Sequence, residues 1–324
     1  DQRDGRDTYV YYGNTDWYHY LFKDEHPNTS HSISLSGGND RVDYLLSGSY
    51  YSEEGLFRQH PDKLQKITFR SKITFDINKW LKVSNNTSYY NYKYFYPGPS
   101  DVNTAFSWST VHGLASFVPV NPDGTSVYYT SLSKYSIMDG LPILNKDGHT
   151  NDDHTDNMST TTELTWTPVK GLEIKGNFTY MFNTTRYTNR QVNTEYSQYP
   201  GEINTLTSGK MEDKLYEKSM THTYYQANLY GTFERTFARD HNFKAMVGFN
   251  WETKFLKDVA ATGYNLLSET LNDLNLVGQG ADGEKRMEVG GGQNEYALMG
   301  FFGRLNYDYK GKYLVEASGR YDGT

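Results

Sequence analysis

The sequence predicts an all-β protein, the wall of an antiparallel transmembrane β-barrel of about ten strands, and three observations carry that prediction. Period-two alternation recurs in ten segments that come in pairs, each pair joined by a very short polar turn and separated from the next by a long polar connection. One face of each segment is apolar and rich in Tyr and Phe, while the other carries charges and amides. The chain is also hydrophilic yet heavily aromatic, with a mean hydropathy of -0.78 against 30 Tyr, 16 Phe and 5 Trp in 324 residues. No apolar run approaches the roughly 20 residues a helix needs to cross a bilayer. A barrel reconciles these facts because it hides its apolar surface in alternation.

The predicted pairs are 30–36 with 42–51, 65–76 with 80–92, 158–167 with 171–182, 221–237 with 243–256, and 295–309 with 312–321. Their turns run from Gly37 to Arg41, Ile77 to Lys79, Pro168 to Gly171 and Ala238 to Asn242, with Lys310-Gly311 last. Residues 1–29 are read as leading into the barrel, and 52–64, 93–157, 183–220 and 257–294 as extracellular loops. Short periplasmic turns alternating with long outer loops are the habit of outer-membrane barrels, and soluble sandwiches rarely keep it over ten strands.

The faces sharpen this reading. In 295–309, Ala297, Met299, Phe301, Gly303, Leu305, Tyr307 and Tyr309 alternate with Arg304, Asn306 and Asp308; the partner sets Tyr313, Val315, Ala317, Gly319 and Tyr321 against Glu316, Ser318 and Arg320. Ile67, Phe69, Ile73 and Phe75 likewise alternate with Lys66 and Arg70, and Leu172, Ile174, Phe178, Tyr180 and Phe182 with Glu173 and Lys175. The apolar sets are expected to meet lipid, and Lys66, Arg70, Glu173, Lys175, Arg304, Asn306, Asp308, Glu316 and Arg320 to line the lumen. Trp80, Trp166, Tyr309 and Tyr313 stand beside short turns, as rings do at a headgroup interface; core packing near turns is the plainer reading of them. Tyr89, Tyr90, Tyr92, Tyr94 and Tyr96 close the far end of a strand, as an outer girdle, a ligand surface or both.

Cysteine is absent, which excludes a disulfide scaffold and any cysteine-based metal or nucleophile site. A net charge of -7 without a basic block gives no footprint for nucleic acid. No signal peptide is visible and the pattern stops at Thr324 in mid-strand, so the chain is expected to be a piece of a longer barrel protein. Nine histidines form no HExxH, no GxSxG or phosphate loop is present, Gly290-Gly291-Gly292 reads as a flexible loop, and the adjacent Glu53-Glu54 would point to opposite faces. No enzyme is expected. Asp147, Asp152, Asp153 and Asp156 gather oxygen ligands in one long loop, a weak calcium candidate without EF-hand spacing, a solvated acidic loop being the alternative; no other cofactor is expected. Loop aromatics beside small polar groups suit a sugar, or equally a peptide, and the candidate contacts are Phe106, Trp108, Tyr128, Tyr129, Tyr187 and Tyr196. The competing reading is that these rings pack the loops into a cap or against a partner.

Three stretches carry a family resemblance. Asn14-Thr15-Asp16-Trp17 with Leu21-Phe22, then His31 to Gly38 with Tyr44, Ser47-Gly48-Ser49-Tyr50 and Glu54-Gly55, and above all Gly300 to Leu314 closing in Arg320-Tyr321-Asp322-Gly323, resemble the SusC/RagA-type TonB-dependent transporters of Bacteroidetes. That resemblance implies the outer membrane of a Gram-negative bacterium and a plugged barrel of about 22 strands. It also implies import of oligosaccharides or oligopeptides driven by the TonB complex, under a lid of the SusD lipoprotein type. Ten strands alone would leave open edges in lipid, which agrees with a larger barrel. A passive porin or structural barrel is the alternative; a barrel enzyme would need a catalytic group at the rim, and no motif supplies one.

Overall fold

The computed structural model describes residues 2–3, 5–97, 113–128, 146–206 and 212–324. Ten strands form one antiparallel meander in which every neighbour in the sheet is a neighbour in sequence. They are β1 (Asn28–Asn39), β2 (Val42–Glu54), β3 (Lys63–Asn78), β4 (Leu81–Pro97), β5 (Thr150–Val169), β6 (Leu172–Gln191), β7 (Lys214–Phe237), β8 (His241–Tyr264), β9 (Met287–Tyr309) and β10 (Tyr313–Gly323). All five tight turns lie at one end and all four long connections at the other. Three turns adopt the left-handed conformation: Gly171 at φ 88°, where glycine adopts it freely, Ala238 with Arg239 at 46° and 66°, and Lys310 with Gly311 at 55° and 66°.

Register fixes the two surfaces. A single cross-strand row runs Asn39, Val42, Phe75, Val83, Leu164, Gly176, Leu229, Phe249, Phe301, Tyr321. One residue along, the other face reads Gly38, Asp43, Thr74, Ser84, Glu163, Asn177, Asn228, Asn250, Gly300, Asp322. The apolar row starts beside the first tight turn and reaches Phe301, eight residues above Tyr309 at the last one. A stagger of nearly one residue per strand means strands tilted by roughly 30 to 40°, as barrel closure requires.

Among the described residues no sandwich core lies beneath this sheet. Phe301 is 57% and Leu229 54% exposed, and every buried apolar side chain among the described residues lies in a connection or at the loop end of a strand. An apolar face this large survives only against lipid. One patch departs from it. Asn85 donates to Thr160 and Thr162 at 3.1 and 3.0 Å and accepts from Thr87 at 2.9 Å, on the outer face of β4 and β5. These groups satisfy one another, which is the condition for polar side chains in hydrocarbon.

The strands outrun their expected ends. Connections expected at 52–64, 93–157, 183–220 and 257–294 shrink to 55–62, 98–149, 192–213 and 265–286. From β5 to β9 the strands are 20 to 24 residues long, about twice what a bilayer needs. Their upper halves stand above the membrane, where both faces meet water and the alternation that betrays a strand disappears. Gly37 and Gly38, expected in the first turn, instead continue β1, with the Tyr44 ring lying across Gly37.

Phe249→Arg in the full-length protein should cost about 2–4 kcal/mol and abolish the heat-modifiable electrophoretic mobility of a folded barrel, whereas Asn250→Arg on the opposite face should leave it. Equal behaviour of the two would show that the faces are misassigned.

Candidate functional site

The nine polar residues expected on the lumen side, Lys66, Arg70, Glu173, Lys175, Arg304, Asn306, Asp308, Glu316 and Arg320, share one face by register. That face changes character with height. Near the tight turns it is charged and internally paired: Lys82 with Asp76 at 3.1 Å, Lys175 with Glu173 at 3.1 Å, Lys244 with Glu234 at 3.3 Å and Arg304 with Glu316 at 3.6 Å. Exposed pairs of this kind contribute little stability. In the middle the wall is neutral. Asn228 donates to Asn177 at 2.8 Å and accepts from Asn250 at 2.6 Å, Thr161 meets Thr179 at 2.8 Å, and β1 contributes Ser30, Ser32, Ser34 and Ser36.

At the loop end the same face turns aromatic. Alternation divides the tyrosine run of β4: Tyr89 looks outward, while Tyr90, Tyr92, Tyr94 and Tyr96 look inward, facing Asn157, Thr155, Asp153 and Asn151 of β5. Tyr187 of β6 stands on the other side of Asp153 and packs edge-on against Tyr216 of β7 at 5.9 Å. Their hydroxyls are anchored, Tyr94 to Asp62 at 3.0 Å and Tyr187 to Asn151 at 2.7 Å, and Asn189 donates to the same Asn151 oxygen at 2.7 Å. Burial pushes both phenols up from their usual range, so the rings stay neutral. Lys66 lies 5.8 and 5.9 Å from the rings of Tyr51 and Tyr92. The result is a fixed aromatic wall on rigid strands.

Above it, the connections fold into a cap with its own core of Trp17, Leu21, Phe22, Phe57 and Val127. The helix α1 (Trp17–Leu21) is capped by Asp16, whose carboxylate accepts from the His19 amide at 3.1 Å. Thr15 donates to the Phe117 carbonyl at 2.6 Å and the Trp17 indole to the Leu114 carbonyl at 2.9 Å. The Asn14-Thr15-Asp16-Trp17 segment therefore clamps a distant connection. Tyr9 reaches Asp123 at 2.6 Å and Tyr11 reaches Asn121 at 2.8 Å. Of the predicted contacts, Tyr128 and Tyr196 come together at 5.2 Å inside this cap and Tyr187 belongs to the inner wall, while Phe106, Trp108 and Tyr129 lie outside the described residues. Tyr92, Tyr94 and Asp153 become neighbours of Tyr187 only through the register. The even spacing of the tyrosines was their sole sequence signal.

The acidic loop proposed for calcium is a strand. Asp152, Asp153 and Asp156 belong to β5, with Asp153 inward and the other two outward. Asp156 is held by Tyr89 at 2.7 Å, Asn91 at 2.6 Å and Arg186 at 3.1 Å, and Asp147 sits 3.4 Å from His60. Among the described residues no three such groups converge on a metal.

A polar latch fastens the outer side of the rim. Arg190, 1% exposed, bonds to the Asp213 carboxylate at 2.5 Å and to the Ser268 carbonyl at 3.0 Å, tying β6 to the connections on either side of β7 and β8. Beside it His149 is buried and accepts at Nδ1 from the Val192 amide at 3.4 Å, so Nε2–H donates to Thr194 at 2.6 Å. Burial, then the charges of Arg190, Lys146 and His60, lower its pKa to about 4.

No family model matches the chain. It is 24% identical to TonB-dependent receptor P26 of Formosa agariphila, covering 97% of this chain but 29% of that protein. The RagAB peptide importer in its closed-closed state superposes with a TM-score of 0.73 at 20% identity, over 97% of this chain and 34% of its own. The outer membrane transporter YddB from Escherichia coli gives 0.50 at 7% identity, over 92% and 34%. The chain thus spans about a third or less of the length of these relatives. The fold is that of an outer-membrane transporter barrel, and the proteins it matches over 97% of its length are receptors and transporters rather than enzymes, in line with the resemblance read from the sequence.

Two outcomes test the rim. Arg190→Ala leaves Asp213 buried and unpaired, which should cost about 3–5 kcal/mol locally and speed amide exchange in 212–216 and 265–270; unchanged exchange would remove the latch. His149 resists protonation when folded, so its share of stability is full above the ordinary histidine pKa near 6.5, is lost as pH falls toward 4 and is flat below. The loss should be about 3 kcal/mol, read as faster exchange at 149–151 and 190–194 between pH 6.5 and 4 and absent in His149→Gln.

Proposed function

We propose that this chain forms part of the wall of a plugged outer-membrane barrel that imports oligosaccharides actively, the TonB complex supplying the energy and a SusD-type surface lipoprotein covering the mouth. The observation that supports this reading most is the inner face: a neutral amide and hydroxyl surface leading down from an aromatic mouth, on a sheet whose other face is fit only for lipid. Neutral donors and acceptors exchange hydrogen bonds with a polyhydroxyl cargo without holding it by charge, and tyrosines stack on the apolar faces of sugar rings. The paired charges near the tight turns suit contact with a plug domain. Among the relatives, the RagAB proteins are described as a peptide importer, which makes oligopeptides the second cargo class for the same wall.

In cells carrying the full-length protein, removing its TonB-contacting segment should stop uptake of a fluorescent neutral oligosaccharide while the barrel remains folded in the outer membrane. Uptake that continued unchanged would identify a passive pore instead.

A further inference from the structure

Four buried side-chain atoms among the described residues lack a hydrogen-bond partner: Arg190 Nε belongs to the rim latch, and Gln191 Oε1 ends β6 at the loop end of the inner face. The other two, Asp153 Oδ1 and His222 Nε2, lie on the inner face. A buried polar atom without a protein partner is costly, and water or a bound ligand is what completes it. Asp153 stands between Tyr94 and Tyr187, with Tyr92 one inward position below. Burial pushes its carboxyl up from the usual range, and the neighbouring Asp152 adds to this. His222 faces Asn183, two strands along and four residues lower than the Asp153 row. Strand spacing and rise put the two sites roughly 16 Å apart, a span that a short oligosaccharide bridges and a single sugar does not.

We infer that Asp153, flanked by Tyr92, Tyr94 and Tyr187, is a capture subsite for a neutral sugar unit of the cargo, and that His222 bonds a later unit of the same chain. The inference rests on the import reading above and assigns the first contacts of that cargo to named side chains. A sugar supplies what the site lacks: hydroxyl donors for Asp153 Oδ1 and an apolar ring face for the tyrosines. An ammonium group suits it less. Lys218 stands directly across from Tyr187, and Lys66 lies against Tyr92, so the aromatic wall already carries its own cations.

The test uses the full-length protein in detergent, probed on an array of neutral plant, algal, fungal and animal oligosaccharides and in parallel on a library of uncharged tetrapeptides. Oligosaccharide binding should fall about tenfold in Asp153→Ala, the loss of one hydrogen bond to a charged group. It should fall comparably in Tyr187→Ala, with partial retention in Asp153→Asn, which keeps an acceptor oxygen. Each variant is checked for heat-modifiable mobility, and Glu217→Gln, on the outer face of β7, serves as the folded control that binds normally. Oligosaccharide binding unaffected by both alanine variants would overturn the subsite and leave import standing. Binding of tetrapeptides alone would overturn the substrate class. Binding of neither, together with uptake that ignores the TonB complex, would instead sink the import reading on which the subsite rests.

Discussion

The constraint from which the rest follows is that hydrocarbon offers no hydrogen-bond partner to a backbone amide or carbonyl. A chain that crosses it in strands must pair every group with a neighbouring strand, so the ladder runs without a break from β1 to β10. Once the ladder is fixed, so is the face on which each side chain falls, because a slip of one residue would put Asn250 in lipid and Phe249 in the lumen. Apolar burial, the main driving force in most folds, here follows from the register. It is also why Asn85, Thr87, Thr160 and Thr162 are tolerated on the lipid side: they behave as the backbone does and satisfy one another.

Above the bilayer that constraint lapses, and the structure changes its means of support. The strands continue, but stability is drawn from a conventional buried cap around Trp17 and Phe57 and from the Arg190 latch. The residues that lead into β1 are structural parts of this cap. The Asp16-capped turn and the Trp17 indole hold a connection about a hundred residues away in sequence, so the mouth is shaped by segments that the wall strands keep apart. A tyrosine wall anchored at Asp62 and Asn151 can keep its geometry only if the rim above it is held in this way.

The same division explains what could be read from the sequence. Within the bilayer one face sees lipid and the other water, so the alternation of Phe69 with Arg70 or Phe301 with Arg304 is strong, and the faces and the places of the tight turns were legible, although β1 runs on through Gly37 and Gly38. Above it both faces see water. Asp152, Asp153 and Asp156 then looked like an acidic loop although they alternate along a strand, and the Tyr89 to Tyr96 run looked like one group although register sends Tyr89 outward and the other four inward. The Asn14-Thr15-Asp16-Trp17 segment was recognisable only by family resemblance, because its role depends on carbonyls at 114 and 117 that no local pattern announces. Asp152 and Asp153 read as gathered ligands in the sequence, but period two sends neighbouring carboxylates to opposite faces of β5.

An import wall must bind its cargo firmly enough to collect it and loosely enough to release it, which favours several weak sites over one strong one. The inner face is graded in that sense. Toward the mouth, Asp153 and His222 each keep a side-chain atom with no hydrogen-bond partner, so on the proposed reading a ligand there would make bonds the protein does not make for itself. Lower down, Asn177, Asn228 and Asn250 already bond to one another, so a cargo hydroxyl gains only by displacing an existing bond and the net attraction is small. Lower still, the charges are paired across and along strands and offer a neutral cargo least of all. On the proposed reading, affinity declines from mouth to base by the degree to which the wall satisfies itself. A cargo captured among the tyrosines would then have little to hold it once a plug moved aside.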